Sequence, residues 1–270
     1  MMRFALLESG SKGNCFVLRD ENTTLVIDCG GGKRYLQNAL ADLGVEFSDI
    51  DALLITHDHS DHIAQLNLFS GIPVYSPVDL PGTAVKEVIP DMPFQIEHLS
   101  ITPLALSHDA GDTVGYVIES WQEKLVYITD TGYVRDSVLP FLKGADYIIL
   151  ESNHDTEMLM KTSRPMFLKM RIAGDSGHLC NEDCASILKR IVTNNTKCVV
   201  LAHISEQANT RERALAVSKD VLEHMSVRGL VLAAAAQNEV FKGGDWPDEK
   251  VDVGSCGCVI GMEYMADRRL

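Results

Sequence analysis

The feature that most constrains this chain is a polar stretch, residues 56–63, which contains three histidines and two aspartates. It directly follows the apolar run 52–55, which predicts a buried β-strand. Ligands often bind at the carboxyl ends of strands in an α/β sheet. Neutral imidazoles and carboxylates bind divalent metal ions, and zinc takes three or four such ligands. The stretch therefore predicts a metal site rather than a solvated acidic loop beside a helix cap.

One short loop cannot wrap all of these side chains around a single ion. His57 and His59 alternate and can bind one metal, whereas Asp61 and His62 begin the next helical turn and point elsewhere. We therefore expect two adjacent divalent ions, which could be Zn, Mn or Fe because histidine-plus-carboxylate sites accept all three. Two cations about 3.5–4 Å apart lower the pKa of a shared water to about 7, which gives a metal-bridging hydroxide.

Composition favours one large globular domain over residues 1–270, with a polar tail from about residue 245, because 46% of the 270 residues are hydrophobic. The chain shows no secretory signal and no membrane span, and an odd number of cysteines, seven, argues against a disulfide framework. We therefore expect a cytoplasmic protein with no membrane partner. The net charge of −14 excludes a nucleic-acid footprint over the whole surface, so an anionic substrate would need a local basic patch.

In the predicted order of elements, a strand-rich meander and strand–helix units each occur twice. Two sheets covered by outer helices would accommodate this order. Residues 74–95 contain four prolines and are expected to form a turn-rich, mobile segment near the site. Asn181 and Thr210 are the expected caps of the last two helices.

The strands are predicted at 3–7, 15–18, 24–27, 52–55, 99–106, 113–119, 124–129, 146–150, 197–201 and 229–235. The helices are predicted at 33–43, 61–69, 134–143, 156–172 with an interruption at Pro165, 181–190 and 210–225.

Further predicted strands also end at ligand-type side chains, namely at His108, Asp130, His154 and His203. Of the nine histidines, only two lie away from these loops or from the turn at His178. Asp28 follows the strand at 24–27, where it could support a metal ligand or serve as an ordinary turn residue. This bias of histidine toward strand ends strengthens the metal interpretation.

An acid-free basic cluster lies between His154 and His178 and consists of Lys161, Arg164, Lys169 and Arg171. The arginine guanidinium is suited to bidentate binding of phosphate. We therefore expect these four residues to bind substrate, with a solvated helix face as the alternative.

The spacing His57-x-His59-x-Asp61-His62, with a later His, Asp and His, resembles the metallo-β-lactamase superfamily. The resemblance implies an α/β (α+β) fold with a four-layer αββα sandwich and the site along one edge of the sheets. It also implies the ligands of each metal: His57, His59 and His108 for the first, Asp61, His62 and His203 for the second, and Asp130 as the bridge. His154 stays open as a replacement for His108, as an additional ligand, or as a phosphate contact.

Five segments resemble the YycJ/WalJ branch of that superfamily, at residues 9–14, 106–110, 151–155, 177–181 and 203–205. This resemblance implies a 5′-to-3′ exonuclease that acts on double-stranded DNA. Asp61 would then orient the nucleophile as well as bind metal, and His178 would protonate the leaving oxygen as general acid. For His178, a turn histidine exposed to water is the alternative. Ser11 and Asn14 in the first segment are expected substrate contacts.

Two other functions remain open, because fold does not settle substrate. One is hydrolysis of a small ester, thioester, lactam or cyclic phosphodiester by the same metals. The other is a metal-binding regulatory partner without turnover. A homodimer is an alternative to a monomer.

Overall fold

The fold was analysed in a computed structural model, which describes residues 1–246 and 257–260. The strands are β1 Arg3–Glu8, β2 Cys15–Asp20, β3 Thr23–Ile27, β4 Ala52–Leu54, β5 Val74–Ser76, β6 Val85–Glu87, β7 Phe94–Ile96, β8 Leu99–Ala105, β9 Val114–Glu119, β10 Lys124–Ile128, β11 Tyr147–Glu151, β12 Cys198–Ala202, β13 Leu230–Ala234, β14 Phe241–Gly244 and β15 Gly257–Ile260. The α-helices are α1 Lys33–Asp42, α2 Ser60–Ile63, α3 Leu139–Leu142, α4 Thr156–Lys161, α5 Met166–Ile172, α6 Asn181–Ile191 and α7 Arg211–Glu223.

These strands form two mixed sheets. The first has the order β14-β1-β2-β3-β4-β5-β6, and the second has the order β15-β13-β12-β11-β10-β9-β8-β7. Pairing is parallel from β3 to β6 and from β10 to β13. Parallel strands end at the same edge of a sheet, so the residues that follow β3 and β4 lie together, as do those that follow β10, β11 and β12.

Three hydrophobic cores separate four layers. The central core lies between the sheets and includes Phe4 and Phe16 from the first and Tyr116 and Tyr147 from the second. A second core joins the second sheet to α3, α6 and α7. A third joins the first sheet to α1. Strands covered on both faces are mostly apolar, and β3 and β11 are buried at every residue. The predicted αββα sandwich is confirmed.

Two predicted helices are wrong in extent. The segment 61–69 is split into α2 and a 3-10 turn, Leu66–Phe69, because the amide of Gln65 donates to the carbonyl of Cys29 at 2.9 Å rather than to its own helix. The segment 134–143 is helical only over α3, which begins beside Pro140, since a proline is tolerated in the first turn of a helix but not in its interior. The predicted break at Pro165 is confirmed as the gap between α4 and α5.

Of the two predicted helix caps, one is confirmed and the other is wrong. Thr210 caps α7, because its hydroxyl accepts the amide of Arg213 at 3.2 Å. Asn181 is not a cap but the first residue of α6, and Cys180 occupies the cap position. The Asn181 side chain is buried, where its amide oxygen accepts the Ser152 hydroxyl at 2.7 Å. It therefore joins the end of β11 to α6.

The segment 74–95 and the predicted tail contribute edge strands. Residues 74–95 contain β5, β6 and β7, and connect the first sheet to the second. Most of the predicted tail, residues 247–256 and 261–270, lies outside the described residues. The part at 257–260 is β15, which pairs antiparallel with β13 and is therefore an edge of the second sheet.

None of the helices in the described ranges has the length and apolar character needed to span a bilayer. The cytoplasmic location, the single domain over residues 1–270 and the choice between monomer and homodimer stay predictions.

The central core generates a prediction about stability. The Phe4 ring is fully buried and lies 5.6 Å from the Phe16 ring and 5.4 Å from the Tyr147 ring, between centroids. Phe4→Ala should lower the free energy of unfolding by about 3–5 kcal/mol, because it leaves a cavity between the sheets. Urea unfolding of the metal-free protein measures this loss. Trp121→Ala is the control, because Trp121 is 87% exposed, and it should change stability by less than about 0.5 kcal/mol. Equal losses would contradict this account of the core.

Candidate metal centre

The ligand-type side chains converge at the carboxyl edges of the two sheets. His57 follows β4, His108 follows β8, Asp130 follows β10 and His203 follows β12. Strand β8 is antiparallel to β9, which is antiparallel to β10, so β8 and β10 end at the same edge. The topology therefore brings together residues that are far apart in sequence.

The first predicted ligand set is assembled in the structure. One ligand atom from each of His57, His59 and His108 lies within 4.8 Å of the others. The ring centroids are 4.7 Å apart for His57 and His59 and 5.1 Å apart for His57 and His108. The Nδ1 of His108 lies 3.0 Å from the carbonyl of Gly177. When protonated, it donates there and leaves Nε2 as the nitrogen available to a metal.

The second predicted set is assembled beside the first, with Asp130 between them. Asp61, His62 and His203 offer ligand atoms within 4.8 Å of one another. Asp130 Oδ2 lies 3.4 Å from His62 Nε2, and Asp130 Oδ1 lies 3.5 Å from His203 Nε2 and 3.9 Å from His108 Nε2. The Asp130 carboxylate thus faces imidazoles of both sets, which is the position required of a bridging ligand.

Three buried polar atoms in this cluster have no hydrogen-bond partner among the described residues: His57 Nε2, His203 Nε2 and Asp130 Oδ2. Leaving a buried polar atom unsatisfied costs about 1–3 kcal/mol. A divalent cation would accept lone pairs from all three, and nitrogen and oxygen donors of this kind suit zinc and other transition metals. The residues present therefore fit a metal centre.

The surrounding charges set the protonation of these groups. Burial lowers the pKa of His57 to about 2 and also lowers that of His108, so both imidazoles are neutral and ready to bind metal. Burial would raise the pKa of Asp130, but the neighbouring histidines hold it well below its usual value. Burial opposes protonation of His203 too, yet Asp130 and Glu151 raise its pKa to about 9. Metal binding should therefore displace a proton from His203.

Asp28 supports His62 from the side opposite to Asp130. Its Oδ2 lies 2.8 Å from His62 Nδ1. Its other oxygen accepts the amide of Thr56 at 2.8 Å, and the Thr56 hydroxyl donates to Oδ2 at 2.9 Å. A carboxylate behind a ligating imidazole fixes its orientation and increases its basicity. Of the two alternatives for Asp28, these contacts favour support of a metal ligand over a turn residue.

Glu151 is a site residue that the sequence analysis did not single out. It ends β11 and is fully buried. Its Oε1 lies 2.7 Å from His178 Nδ1 and 2.9 Å from His203 Nδ1, and its Oε2 accepts the amide of Thr131 at 2.9 Å. Burial would raise its pKa, but His178 and His203 lower it to about 2. The sequence signal for a site role of Glu151 is its position at the end of a buried strand, directly before Ser152 and Asn153.

Three of these strand-end residues have a left-handed backbone: Asp28 with φ 59°, Asp130 with φ 57° and His203 with φ 53°. Non-glycine residues seldom adopt this conformation and it costs about 1–3 kcal/mol each, so it persists where surrounding contacts determine it. The amide of His203, for example, donates to the Ser9 hydroxyl at 2.9 Å. The local backbone turns these side chains out of their strands and toward one another.

The glycine-rich turn at residues 9–14 packs under the site. Its two predicted substrate contacts, Ser11 and Asn14, differ in their exposure. Ser11 is exposed and lines the cleft. Asn14 is fully buried: its amide nitrogen lies 2.9 Å from His62 Nε2 and its backbone amide donates to the Asp61 carbonyl at 2.8 Å. Asn14 therefore holds the ligand loop, and its burial does not favour the predicted contact with substrate.

The cleft above the histidines has a volume of about 220 Å³. Its wall includes Ser11, His59 and His178 on one part and Leu168, Arg171 and Ile172 from α5 on another. His178 is partly exposed there, with Nδ1 held by Glu151. The remaining ring nitrogen, Nε2, is therefore the one available to a bound molecule.

The basic cluster divides into residues with different surroundings. Arg171 lines the cleft and forms an ion pair with Asp109. Lys161 is exposed and pairs with Glu157, whereas Arg164 is half-buried and has no carboxylate at ion-pair distance within the described chain. Lys169 is buried and its ammonium donates to the Met160 carbonyl at 2.6 Å. The Lys169 charge therefore joins α5 to α4, which does not favour the predicted contact with substrate.

His154 is the candidate that the structure does not bring to the metal ligands. It is buried, its backbone forms a bridge with Cys180, and it belongs to none of the ligand clusters found in the described residues. Of the two alternatives, His108 and not His154 lies beside His57 and His59.

Comparison with known proteins agrees with this geometry. Residues 23–204 match the family model described as a β-lactamase superfamily domain. The chain is 32% identical to the exodeoxyribonuclease YycJ of Bacillus anthracis over 82% of its own length and 89% of the relative's. It is 33% identical to the exodeoxyribonuclease WalJ of Streptococcus pneumoniae strain D39 over 78% and 85% of the two lengths.

Among solved structures, the chain resembles the metallo-β-lactamase fold protein YhfI from Bacillus subtilis. The TM-score is 0.66 at 20% identity, and the match covers 90% of this chain and 99% of that one. At this identity the likeness concerns the fold alone, whereas the family model and the two exodeoxyribonucleases extend it to sequence. The chain therefore belongs to the β-lactamase superfamily, with a metallo-β-lactamase fold, on the branch that contains YycJ and WalJ.

Proposed function

We propose that this protein is a dinuclear-metal phosphodiesterase that removes nucleotides from double-stranded DNA in the 5′-to-3′ direction. The observation that carries the proposal is the pair of ligand sets joined by Asp130, with unpartnered nitrogens and oxygen directed at one place. The names of the relatives YycJ and WalJ, both exodeoxyribonucleases, favour DNA as the substrate.

Two ions fit the donors better than one. His57, His59 and His108 would hold the first, Asp61, His62 and His203 the second, and Asp130 would contact both. Divalent metals bound there supply Lewis acidity, which lowers the pKa of water and neutralises charge on phosphate oxygens. Zn, Mn and Fe all suit these ligands.

In this proposal Asp61 acts on the attacking water as well as on metal. Its carboxylate is partly exposed in the cleft, whereas the Asp130 carboxylate, which also borders the cleft, is buried. An exposed oxygen of Asp61 can accept a hydrogen bond from water and orient it in line with the scissile P–O bond.

In this proposal His178 protonates the leaving oxygen. Glu151 holds its Nδ1 at 2.7 Å, which fixes the ring and directs Nε2 to the cleft. A proton on Nε2 can pass to the departing 3′-oxygen as the P–O bond breaks. Arg171 lies on the same cleft, where its guanidinium can bind a phosphate oxygen in competition with Asp109.

Substitution of Asp61 tests the metal-dependent nuclease directly. Asp61→Ala should lower cleavage of 5′-labelled duplex DNA in Mn²⁺ or Zn²⁺ by more than about 100-fold, because it removes a ligand and the group that orients water. Native mass spectrometry should find two ions per wild-type chain and fewer in the variant. Asp58→Ala is a matched control, since Asp58 is in the same loop but exposed and outside the ligand clusters.

Asp58→Ala should keep both metal content and cleavage. Absence of DNA cleavage by the wild-type protein loaded with two ions would remove the nuclease proposal. Hydrolysis of small esters or lactams by the same sample would then favour the alternative of a small-molecule hydrolase.

The role of His178 predicts a dependence on the leaving group. His178→Ala should slow cleavage of DNA by about 10²- to 10⁴-fold, because the departing alkoxide needs a proton. The same variant should hydrolyse bis(p-nitrophenyl) phosphate nearly as fast as wild type, since p-nitrophenolate leaves without one. The ratio of kcat values for the two substrates measures the effect. An equal loss on both would show that His178 serves the metal site and not the leaving oxygen.

A further inference from the structure

A cluster of large apolar side chains lies on the surface of α5, beside the catalytic cleft. Phe167 is 75% exposed, Met166 is 62% exposed and Met170 is 60% exposed. Such exposure rules out a role in the core for these side chains. Exposed apolar side chains that lie together commonly mark an interaction site.

The helical positions place Phe167 at the edge of the cleft. Leu168, Arg171 and Ile172 line the cleft, and Lys169 is buried against α4 on the other side. Residues four apart in a helix lie on the same face one turn apart. Phe167 therefore lies one turn from Arg171, at the boundary between the face that lines the cleft and the face exposed to solvent.

The sequence around this aromatic ring is basic in an otherwise acidic chain. Between Glu157 and Asp175 the sequence contains four basic residues and no acidic one, while the whole chain has a net charge of −14. Arg164 has no ion-pair partner among the described residues, and Arg171 has one, Asp109. An exposed ring set among basic groups is the combination that single-stranded nucleic acid recognises, by stacking of bases and attraction of phosphates.

We propose that Phe167 is a stacking platform for an unpaired base of the DNA strand that enters the cleft, with Arg164 and Arg171 binding the adjacent phosphates. The inference rests on the proposed nuclease function and specifies how that site binds its substrate.

This assignment explains how a narrow cleft can act on a duplex. A cleft of about 220 Å³ cannot hold a duplex, so one strand must separate before its phosphate reaches the metal ligands. Opening a terminal base pair loses stacking, and a protein ring that stacks on the freed base recovers part of that free energy. Phe167 thus favours the frayed end of the duplex over the paired one.

The test measures binding separately from hydrolysis. Phe167→Ala should weaken binding of the metal-loaded protein to a single-stranded phosphorothioate DNA by about 5- to 150-fold, followed by fluorescence anisotropy. It should raise KM for duplex DNA by a larger factor than it lowers kcat, because the ring binds substrate and touches no reacting atom. Phe167→Trp should restore DNA binding, and Phe167→Leu should not, because leucine is apolar but has no π face.

Trp121→Ala is the matched control for an exposed aromatic ring. Trp121 lies in the turn before β10, whereas Asp130 follows the opposite end of that strand. This variant should bind DNA as wild type does.

Each outcome supports or contradicts the stacking platform, and the results also test the nuclease function separately. Wild-type binding by Phe167→Ala, or full rescue by Phe167→Leu, would overturn the stacking platform while leaving the nuclease intact. Failure of wild type to bind the oligonucleotide would also overturn it and would favour a protein partner for the apolar surface. Binding that depends on Phe167 without any cleavage of DNA would support the platform and remove the nuclease proposal.

Discussion

The whole arrangement depends on one buried carboxylate, Asp130, which is surrounded by imidazoles from four segments of the chain. A carboxylate out of water is stable only when positive charge or hydrogen-bond donors face it. Here the neighbouring histidines supply part of that charge, yet one carboxylate oxygen and two imidazole nitrogens have no partner in the part of the chain that the structure describes. A pair of divalent cations would bind all three of these atoms. The buried site therefore suits positive charge that the protein's own side chains do not provide.

Part of the free-energy cost of holding these groups together is backbone strain. Asp28, Asp130 and His203 each leave a strand in a left-handed conformation that non-glycine residues avoid. Gly30 allows the closest approach, because a Cβ there would lie 1.6 Å from the Asp61 carbonyl oxygen. These strained or restricted positions lie next to one another at the carboxyl edge of the sheets. The two rigid sheets supply the support that such strain requires.

The sequence predicted the parts of this site that depend on local spacing. The motif at residues 57–62 and the apolar strands that end at His108, Asp130 and His203 carried the family resemblance that implied the fold and both ligand sets. The fold is confirmed, and the two ligand sets stay a prediction that the clustering of these side chains supports. Sequence did not reveal Glu151, because an acid at the end of a buried strand has several possible roles until its partners are known. It also did not separate Arg171, on the cleft, from Lys169, in the interior, because both belong to the same basic run. Helix 134–143 was overestimated because periodicity cannot show how far Pro140 limits a helix.

The acidic composition of the chain does not oppose a DNA substrate. At physiological ionic strength, exposed charges further apart than about 8 Å are largely screened. A chain of this length has a radius of gyration of about 18 Å, so most of its acidic surface lies beyond that distance from the cleft. The field felt by a phosphate at the cleft is therefore set by the groups that line it, where Arg171 and bound metal ions would oppose Asp61, Asp109 and Asp130. Acidic surface elsewhere disfavours binding of a duplex in other orientations. The charge distribution thus directs a DNA end to the one face where the ligands, His178 and the ring of Phe167 lie together.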